Sequence, residues 1–341
     1  MGVGLAASGL AVVVVLSLNG CDAGSDPDGP GTADTQSSAA PAAATAAVEP
    51  ARTSSYRARE RSRFDSAGAD GMVAAGGALW VKTDVGHVLR IDPGTDRITA
   101  DLTVDPRTGQ SFYCQGIGAL DGAIWACATR KDGTGVARID PSTGRITRLV
   151  HVGKVFDQLA LPSAGDAIGV LVDDGEALSL VPPSGAVRTF PLGGRFQQLA
   201  GSGDTFVATS VVEDSATVVD AASGSVRARL DVTDARMAAV VGEDVWVDSF
   251  DGLTHFSDAL SRRTVYPGLI AGPDGDVSTD GTSVWLRASD GTITQIDAAS
   301  GAVLQQVRPG SPRSGGSVVA AYGSIWTTDS EAGLITRLRA G

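Results

Sequence analysis

Residues that could carry acid–base or metal chemistry are few and far apart in this sequence of 341 residues. The histidines are His87, His151 and His255, and no glutamate stands within two positions of any of them. A general acid or base must reach its partner through a hydrogen bond. The sequence also holds no phosphate-binding loop, serine nucleophile elbow or zinc signature. We therefore predict no catalytic residue, no metal ligand and no cofactor, and the pattern favours a protein that is not an enzyme.

The first cysteine marks a targeting segment. Residues 2–18 are almost wholly apolar and lead into Leu18-Asn19-Gly20-Cys21, which resembles a bacterial lipobox, where the cysteine becomes the lipidated N-terminus. We predict a signal peptide over residues 1–20 and lipidation at Cys21, which would hold the chain at the extracytoplasmic face of the cell membrane. An uncleaved signal anchor with an incidental cysteine is the alternative.

The other two cysteines, Cys114 and Cys127, are thirteen positions apart on either side of an Asp121-Gly122 turn. Adjacent antiparallel strands would place both on one face of a sheet. Exported proteins commonly contain disulfides. We predict a disulfide between Cys114 and Cys127, with two buried free thiols as the alternative.

Composition separates the N-terminal region from the rest of the chain. Residues 22–52 consist mostly of Asp, Gly, Pro, Ser, Thr and Ala, and this composition predicts a disordered tether over residues 21–52. The whole chain has a formal net charge of −12. Nucleic-acid binding needs a basic surface, so this charge argues against a nucleic-acid partner.

The elements that must position any site are the strands of a repeat. A turn, an apolar residue and a tryptophan recur at Trp80, Trp125, Trp246, Trp285 and Trp326, and two weaker copies place Gly169 and Phe206 in the tryptophan slot. The seven copies are about 37–45 residues apart, a period typical of propeller blades. We predict an all-β, seven-bladed β-propeller of four-stranded blades over residues 53–341. The tryptophans should wedge between neighbouring sheets, with a stacking platform for a flat cofactor as the alternative.

A second motif lies between the predicted third and fourth strands. It reads Arg90-Ile91-Asp92-Pro93 in the first repeat and Arg138-Ile139-Asp140-Pro141-Ser142-Thr143-Gly144 in the second. Pro and Gly suit the dihedral angles of such a turn. With the tryptophan strand, these strings resemble the YVTN-type and virginiamycin B lyase-like (quinoprotein-like) β-propellers over residues 66–341. The resemblance to the lyase implies a metal-dependent His and Glu near the channel mouth, and no matching pair stands in this sequence.

The last repeat ends at its third strand, near residues 334–338, which would leave a sheet edge unpaired. Between Tyr56 and Phe64 arginines alternate with other residues, a period of two that predicts a strand. We predict that residues near 55–63 supply the missing fourth strand and close the ring. A basic patch for anionic lipid or polymer is the alternative.

Two sets of predicted loops share one face of a propeller around its channel. The blade-joining loops carry Arg107, Lys154, Arg195, Arg236 and Arg313. The loops from second to third strands carry Asp84, Asp132, Asp173, Asp174, Asp214, Asp251, Asp290 and Asp329. Converging cations would bind an anionic ligand, and a ring of carboxylates could hold a cation. Scattered solvated charge and ordinary turn chemistry are the respective alternatives.

These expectations combine into one functional hypothesis. We expect a monomeric, membrane-anchored binding or scaffolding module for a protein, glycan or small anionic ligand at the cell surface. The alternative is a virginiamycin B lyase-like metal-dependent enzyme. Fold alone does not decide between them, because propellers host many unrelated functions.

Overall fold

The computed structural model describes residues 44–45, 59–65, 68–104, 115–130, 133–155, 158–309 and 315–339. They form seven sheets with four antiparallel strands each, which confirms the predicted all-β, seven-bladed propeller. A single 3₁₀ turn, Asp173–Gly175, is the one helical element in these ranges. Within the same ranges, no helix is both long and apolar enough to cross a membrane. The predicted signal peptide, Cys21 and nearly all of the tether lie outside the described residues.

Each blade runs from an inner first strand to an outer fourth strand. Blade one consists of Ala69–Ala75, Ala78–Thr83, His87–Asp92 and Arg97–Thr103, and blade two of Ile117–Leu120, Ala123–Arg130, Gly133–Asp140 and Arg145–His151. Blade three consists of Ser163–Ala164, Ala167–Val172, Ala177–Val181 and Arg188–Pro191, and blade four of Gln198–Ser202, Thr205–Ser210, Ser215–Asp220 and Val226–Asp231. The strands of blades five to seven are Ala238–Val241, Asp244–Ser249, Gly252–Ser257 and Arg262–Tyr266; Asp276–Thr279, Ser283–Arg287, Ile293–Asp297 and Val303–Val307; and Val318–Ala321, Ser324–Asp329, Leu334–Arg339 and Arg59–Asp65. Ala44–Thr45 adds a short parallel strand outside blade five.

The fourth strand of blade seven comes from the start of the propeller. Arg59–Asp65 pairs antiparallel with Leu334–Arg339, and Arg59 faces Arg339 across the ladder. This is the closing strand expected near residues 55–63, of which residues 55–58 lie outside the described residues. The two ends of the propeller therefore meet in one sheet, and the outer edge of Leu334–Arg339 is covered.

The Asp-Pro motif builds the turn between the third and fourth strands. In blade one, the Asp92 carboxylate accepts hydrogen bonds from the backbone N–H groups of Thr95 and Gly94, at 3.0 and 2.7 Å. These two bonds hold the pKa of Asp92 below its usual value. Asp140 does the same in blade two, where it accepts the N–H of Ser142 at 2.8 Å. The motif therefore fixes a turn, as its composition indicates.

Each of the five tryptophans is buried and packs against the following blade. Trp80 clusters with Ile117 and Ile124 of blade two, and Trp326 of blade seven clusters with Leu79 of blade one. Trp125, Trp246 and Trp285 contact the next blade in the same way. The tryptophans therefore fill the junctions between blades, in the role predicted for a wedge.

The third-strand position that opens the Asp-Pro motif in blade one lies over the face of the tryptophan, and blade seven has an arginine there without the motif. Arg90 lies over Trp80 at 5.9 Å from the ring centroid, and Arg337 lies over Trp326 at 4.6 Å. In blade five, His255 takes this position and stacks on Trp246 at 3.9 Å. Both parts of the motif are thus used in packing, where a cation over an indole face is attractive.

One assignment in the repeat was wrong. Phe206 does not occupy the tryptophan slot of blade four, because it packs backward against Leu178 and Leu180 of blade three. Val207 faces blade five and holds the slot, beside Val245. Successive side chains on a strand point to opposite faces, so a shift of one residue reverses the junction that a side chain fills.

Candidate functional site

The two sets of loops predicted to share one face are joined by backbone hydrogen bonds. The N–H of Asp84 donates to the carbonyl of Gly68, and that of Asp173 donates to Lys154, at 2.8 and 3.0 Å. In blade five, the N–H of Arg236 donates to the carbonyl of Asp248 at 3.0 Å. We call this surface, built from the blade-joining loops and the loops between second and third strands, the loop face.

The structure brings two of the five candidate cations together. Lys154 Nζ lies 2.5 Å from an Asp174 carboxylate oxygen, and Arg195 Nε donates to the Asp174 carbonyl at 3.1 Å. The hydrogen bond from Lys154, followed by the nearby charges, holds the pKa of Asp174 below its usual value. Two cations from neighbouring loops thus meet at one residue.

Arg236 is held separately from this pair. Its guanidinium forms an ion pair with Asp234 two positions earlier, and its side chain is 20% exposed. Arg107 and Arg313 lie outside the described residues. The convergence of all five cations on one anion site therefore stays a prediction.

Several carboxylates of the loop face serve the loops themselves. The Asp84 carboxylate accepts a hydrogen bond from Nε2 of Gln115, and the Asp214 carboxylate accepts one from the backbone N–H of Asp234, both at 2.8 Å. Asp290 binds the N–H of Thr292, and Asp329 that of Ala332. Asp132 lies outside the described residues. Across the described ranges, no group of three or more His, Cys, Asp or Glu side chains could hold a metal ion. These contacts fit the turn-chemistry alternative.

The three histidines are in three settings, each on a third or fourth strand. His87 contacts the carboxylate of Asp101 at 2.6 Å on neighbouring strands of blade one. His255 stacks on Trp246 and lies 2.9 Å from the carboxylate of Asp244. His151 ends the fourth strand of blade two and is exposed. The metal-dependent His and Glu implied by the lyase resemblance have no counterpart among these contacts.

The channel contains a carboxylate that the sequence did not single out. The inner strands of blades four to six and the segment before blade three line an open cavity of about 170 Å³, with Asp276 among its polar lining residues. Asp276 accepts the N–H of Val318 at 2.9 Å, and burial raises its pKa to about 6. The sequence signal that could have found Asp276 is that an aspartate begins this inner strand, where blade four has Gln198 and blade five has Ala238.

A second buried carboxyl lies on the second strand of blade five. Asp248 is fully buried and accepts the N–H of Ala271 at 2.7 Å. Burial raises the pKa of Asp248 to about 6, and that hydrogen bond only partly offsets the cost of burying charge. Asp248 therefore fixes the loop that enters blade six.

A larger concavity lies between blades four and five, at the end opposite the loop face. It measures about 550 Å³ and is lined by Val218, Leu230, Val245 and Leu260, with Asp204, Arg227 and Glu243 among its polar residues. Arg227 forms ion pairs with Asp204 and Asp220. We call this concavity the interblade groove. The sequence did not predict the groove, because its lining comes from two blades and depends on how their side chains pack.

Only one of the two cysteines in the predicted disulfide lies in the part of the chain that the structure describes. Cys127 is buried on the second strand of blade two, and Cys114 lies outside the described residues. The Cys114–Cys127 pairing stays a prediction.

Comparisons with known proteins extend to the fold alone. No family model matches the chain, and no curated protein matches it. Among solved structures, the chain is similar to the WD40 domain of Neurospora crassa Pan2, with a TM-score of 0.65 and 9% identity over 85% of this chain and 98% of that one. It is also similar to the β-propeller domain of Cps50 (Swd1) from Myceliophteria thermophila, with a TM-score of 0.63 and 12% identity over 83% of this chain and 100% of that one.

Proposed function

We propose that the chain is an exported, membrane-anchored β-propeller that binds a protein, glycan or small ligand at the cell surface. The observation that supports this most directly is the loop face. Its loops are hydrogen-bonded to one another, as Asp173 is to Lys154 and Arg236 is to Asp248. A surface that is already ordered loses little conformational freedom on binding.

The proposed location depends on the N-terminal sequence. The apolar run before Cys21 supplies a lipidation signal, and residues 22–52 supply a polar spacer. A flexible chain of about thirty residues spans on the order of 30 Å. Such a tether would let the loop face meet a partner at the membrane or away from it.

The enzyme alternative has less support. A lyase of the proposed kind would use a His with a carboxylate at the channel, within hydrogen-bond reach. The two His–Asp contacts, His87 with Asp101 and His255 with Asp244, are formed by side chains away from the inner strands. The geometry therefore favours binding over catalysis.

The test is proximity labelling on living cells, with the labelling enzyme fused to the C-terminus of the full chain. We expect one dominant labelled partner at the membrane. A Cys21→Ser chain serves as the control, and it should leave the membrane fraction and lose that partner. Failure to label any partner above background, combined with turnover of a substrate by the purified chain, would overturn the proposal.

A further inference from the structure

The loop face of blades four and five carries an exposed apolar patch. Over the described ranges, Phe250 and Val212 are the most exposed large apolar side chains, at 68% and 66%. Val211 and Ile270 are exposed as well. Clustered exposed apolar side chains are typical of interaction sites, whereas single ones need no explanation. We call these four residues the apolar loop patch.

Hydrogen bonds between loops place the residues of the patch on neighbouring loops. The blade-joining loop around Thr233 lies between the other two: Asp234 donates its N–H to the Asp214 carboxylate at 2.8 Å, and Thr233 accepts the N–H of Phe250 at 3.4 Å. On the far side, Asp248 holds Ala271, the residue after Ile270. Val212, Phe250 and Ile270 therefore lie on neighbouring loops that hydrogen bonds join.

The charge around the apolar loop patch is acidic. Four exposed carboxylates stand on the same loops or at their bases: Glu213, Asp214, Asp231 and Asp251. The two cations of these loops are engaged with carboxylate or carbonyl oxygens, Arg236 with Asp234 and Arg195 with the Asp174 carbonyl. The whole chain adds a formal charge of −12. A cationic partner is attracted to such a surface and an anionic one is repelled.

We propose that the apolar loop patch docks a basic, amphipathic segment of another protein, in which large apolar side chains are flanked by Lys or Arg. This inference rests on the proposed binding function and names its partner class. Phe250 and Val212 would contact the apolar side chains, while Glu213 and Asp251 would face the flanking cations. Apolar anchors at the centre and charges at the rim are the usual division in protein interfaces.

The first test measures binding of fluorescent peptides to the purified full-length chain by anisotropy. One short peptide alternates Lys with Leu and Phe, a second replaces each Lys by Glu, and a third keeps Lys but replaces the apolar residues by Ser. We expect the first peptide to bind, more weakly as salt screens the charges, and the other two to bind much more weakly. Equal binding of the first and second peptides would overturn the proposal.

Variants locate the binding. Val212→Ser and Phe250→Ser should each weaken the first peptide by roughly tenfold. Val85→Ser is the matched control, because Val85 is also an exposed valine that follows a second strand, but in blade one. Full affinity in both patch variants, with folding confirmed by circular dichroism, would contradict the assignment.

The cell-labelling experiment separates this inference from the proposed function. The double variant Val212→Ser/Phe250→Ser should lose the labelled partner while remaining at the membrane. A partner that persists with the double variant would support the binding function and overturn this docking site. A wild-type chain without any partner would count against both.

Discussion

Blade four has a junction without a tryptophan on each side, and the two junctions are packed differently. Toward blade three, the slot holds Gly169, and a Cβ placed there would lie 2.6 Å from the ring of Phe206 and 2.7 Å from Leu199. Toward blade five, the slot holds Val207, and the interblade groove of about 550 Å³ lies at this junction. At the first junction, Phe206 from the opposite blade takes the place of the missing tryptophan. At the second, Phe256 of blade five belongs to the buried cluster around Val207, and the groove lies beside that cluster.

The difference shows how a worn repeat can keep its ring. Protein interiors are close-packed, so the space between two blades must be filled. The aromatic side chain that fills it can come from either blade. At the junction of blades four and five, the buried cluster is made mostly of Val and Ala side chains and adjoins a concave surface with an apolar lining. A junction that has lost its tryptophan can therefore be filled directly from the opposite blade or can adjoin a groove.

The largest effect that this comparison predicts is for Phe206→Ala. Removing the ring should cost about 3–5 kcal/mol of the free energy of unfolding, because the ring fills the space next to Gly169. Val207→Ala at the open junction should cost less than half as much, since its surroundings already adjoin a groove. Thermal and denaturant unfolding would measure both. Equal losses at the two junctions would mean that they are packed alike.

A smaller effect should follow from adding volume at the same two slots. Gly169→Ala should cost about 1–3 kcal/mol through overpacking against Phe206 and Leu199. Val207→Ile should cost less, because it adds one methyl group to a cluster of mostly Val and Ala side chains. The double variant Gly169→Ala/Phe206→Leu should recover part of the loss relative to the sum of its single variants, as expected for side chains in contact. Simple additivity in calorimetry would argue against the compensation.

The smallest predicted effect concerns a buried carboxyl group instead of side-chain volume. The second position after the slot holds Leu171 at the repaired junction and Asp248 in blade five. Because burial raises the pKa of Asp248 from 3.8 to about 6, ionisation costs more in the folded chain than in the unfolded chain. The contribution of Asp248 to stability is therefore highest at low pH and falls as pH rises from about 4 through 6.

Asp248→Asn should remove this dependence. We expect it to gain about 1–2 kcal/mol relative to the natural chain near pH 8, and no advantage near pH 4. The reverse ordering in a pH series of melting temperatures would contradict the assignment. Leu171→Met, at the equivalent slot, should show no pH dependence of its difference from the natural chain.

Local patterns were enough to predict the architecture. The tryptophan period and the turn residues gave seven blades because each motif acts within a few positions of itself, as Asp92 does on Gly94. The prediction for the tryptophan slot of blade four was wrong, because after Thr205 either Phe206 or Val207 could be taken as the residue that fills it. A constant spacing could have settled it: the slot lies three positions after Gly77, Gly122 and Asp204.

The candidate site was less predictable because its contacts join distant parts of the chain. Lys154 meets Asp174 from the next blade, and Arg337 of blade seven pairs with Asp96 of blade one. Sequence placed Lys154, Arg195 and Arg236 on the expected loops, but not the carboxylates that engage them. The exposure of Phe250 was equally hidden, since an apolar residue after a strand could be buried or exposed.

The closing strand imposes an order of events on the making of the molecule. Arg59–Asp65 is synthesised before any blade, yet its partner Leu334–Arg339 is synthesised last. Until Leu334–Arg339 has been made, the early strand has no partner in the ring. Blade seven alone waits for a distant strand, because the four antiparallel strands of each of the other six blades are consecutive in the chain. Pairings across such a separation form slowly. With the proposed N-terminal anchor, the unpaired strand Arg59–Asp65 would stay near the membrane until Leu334–Arg339 pairs with it.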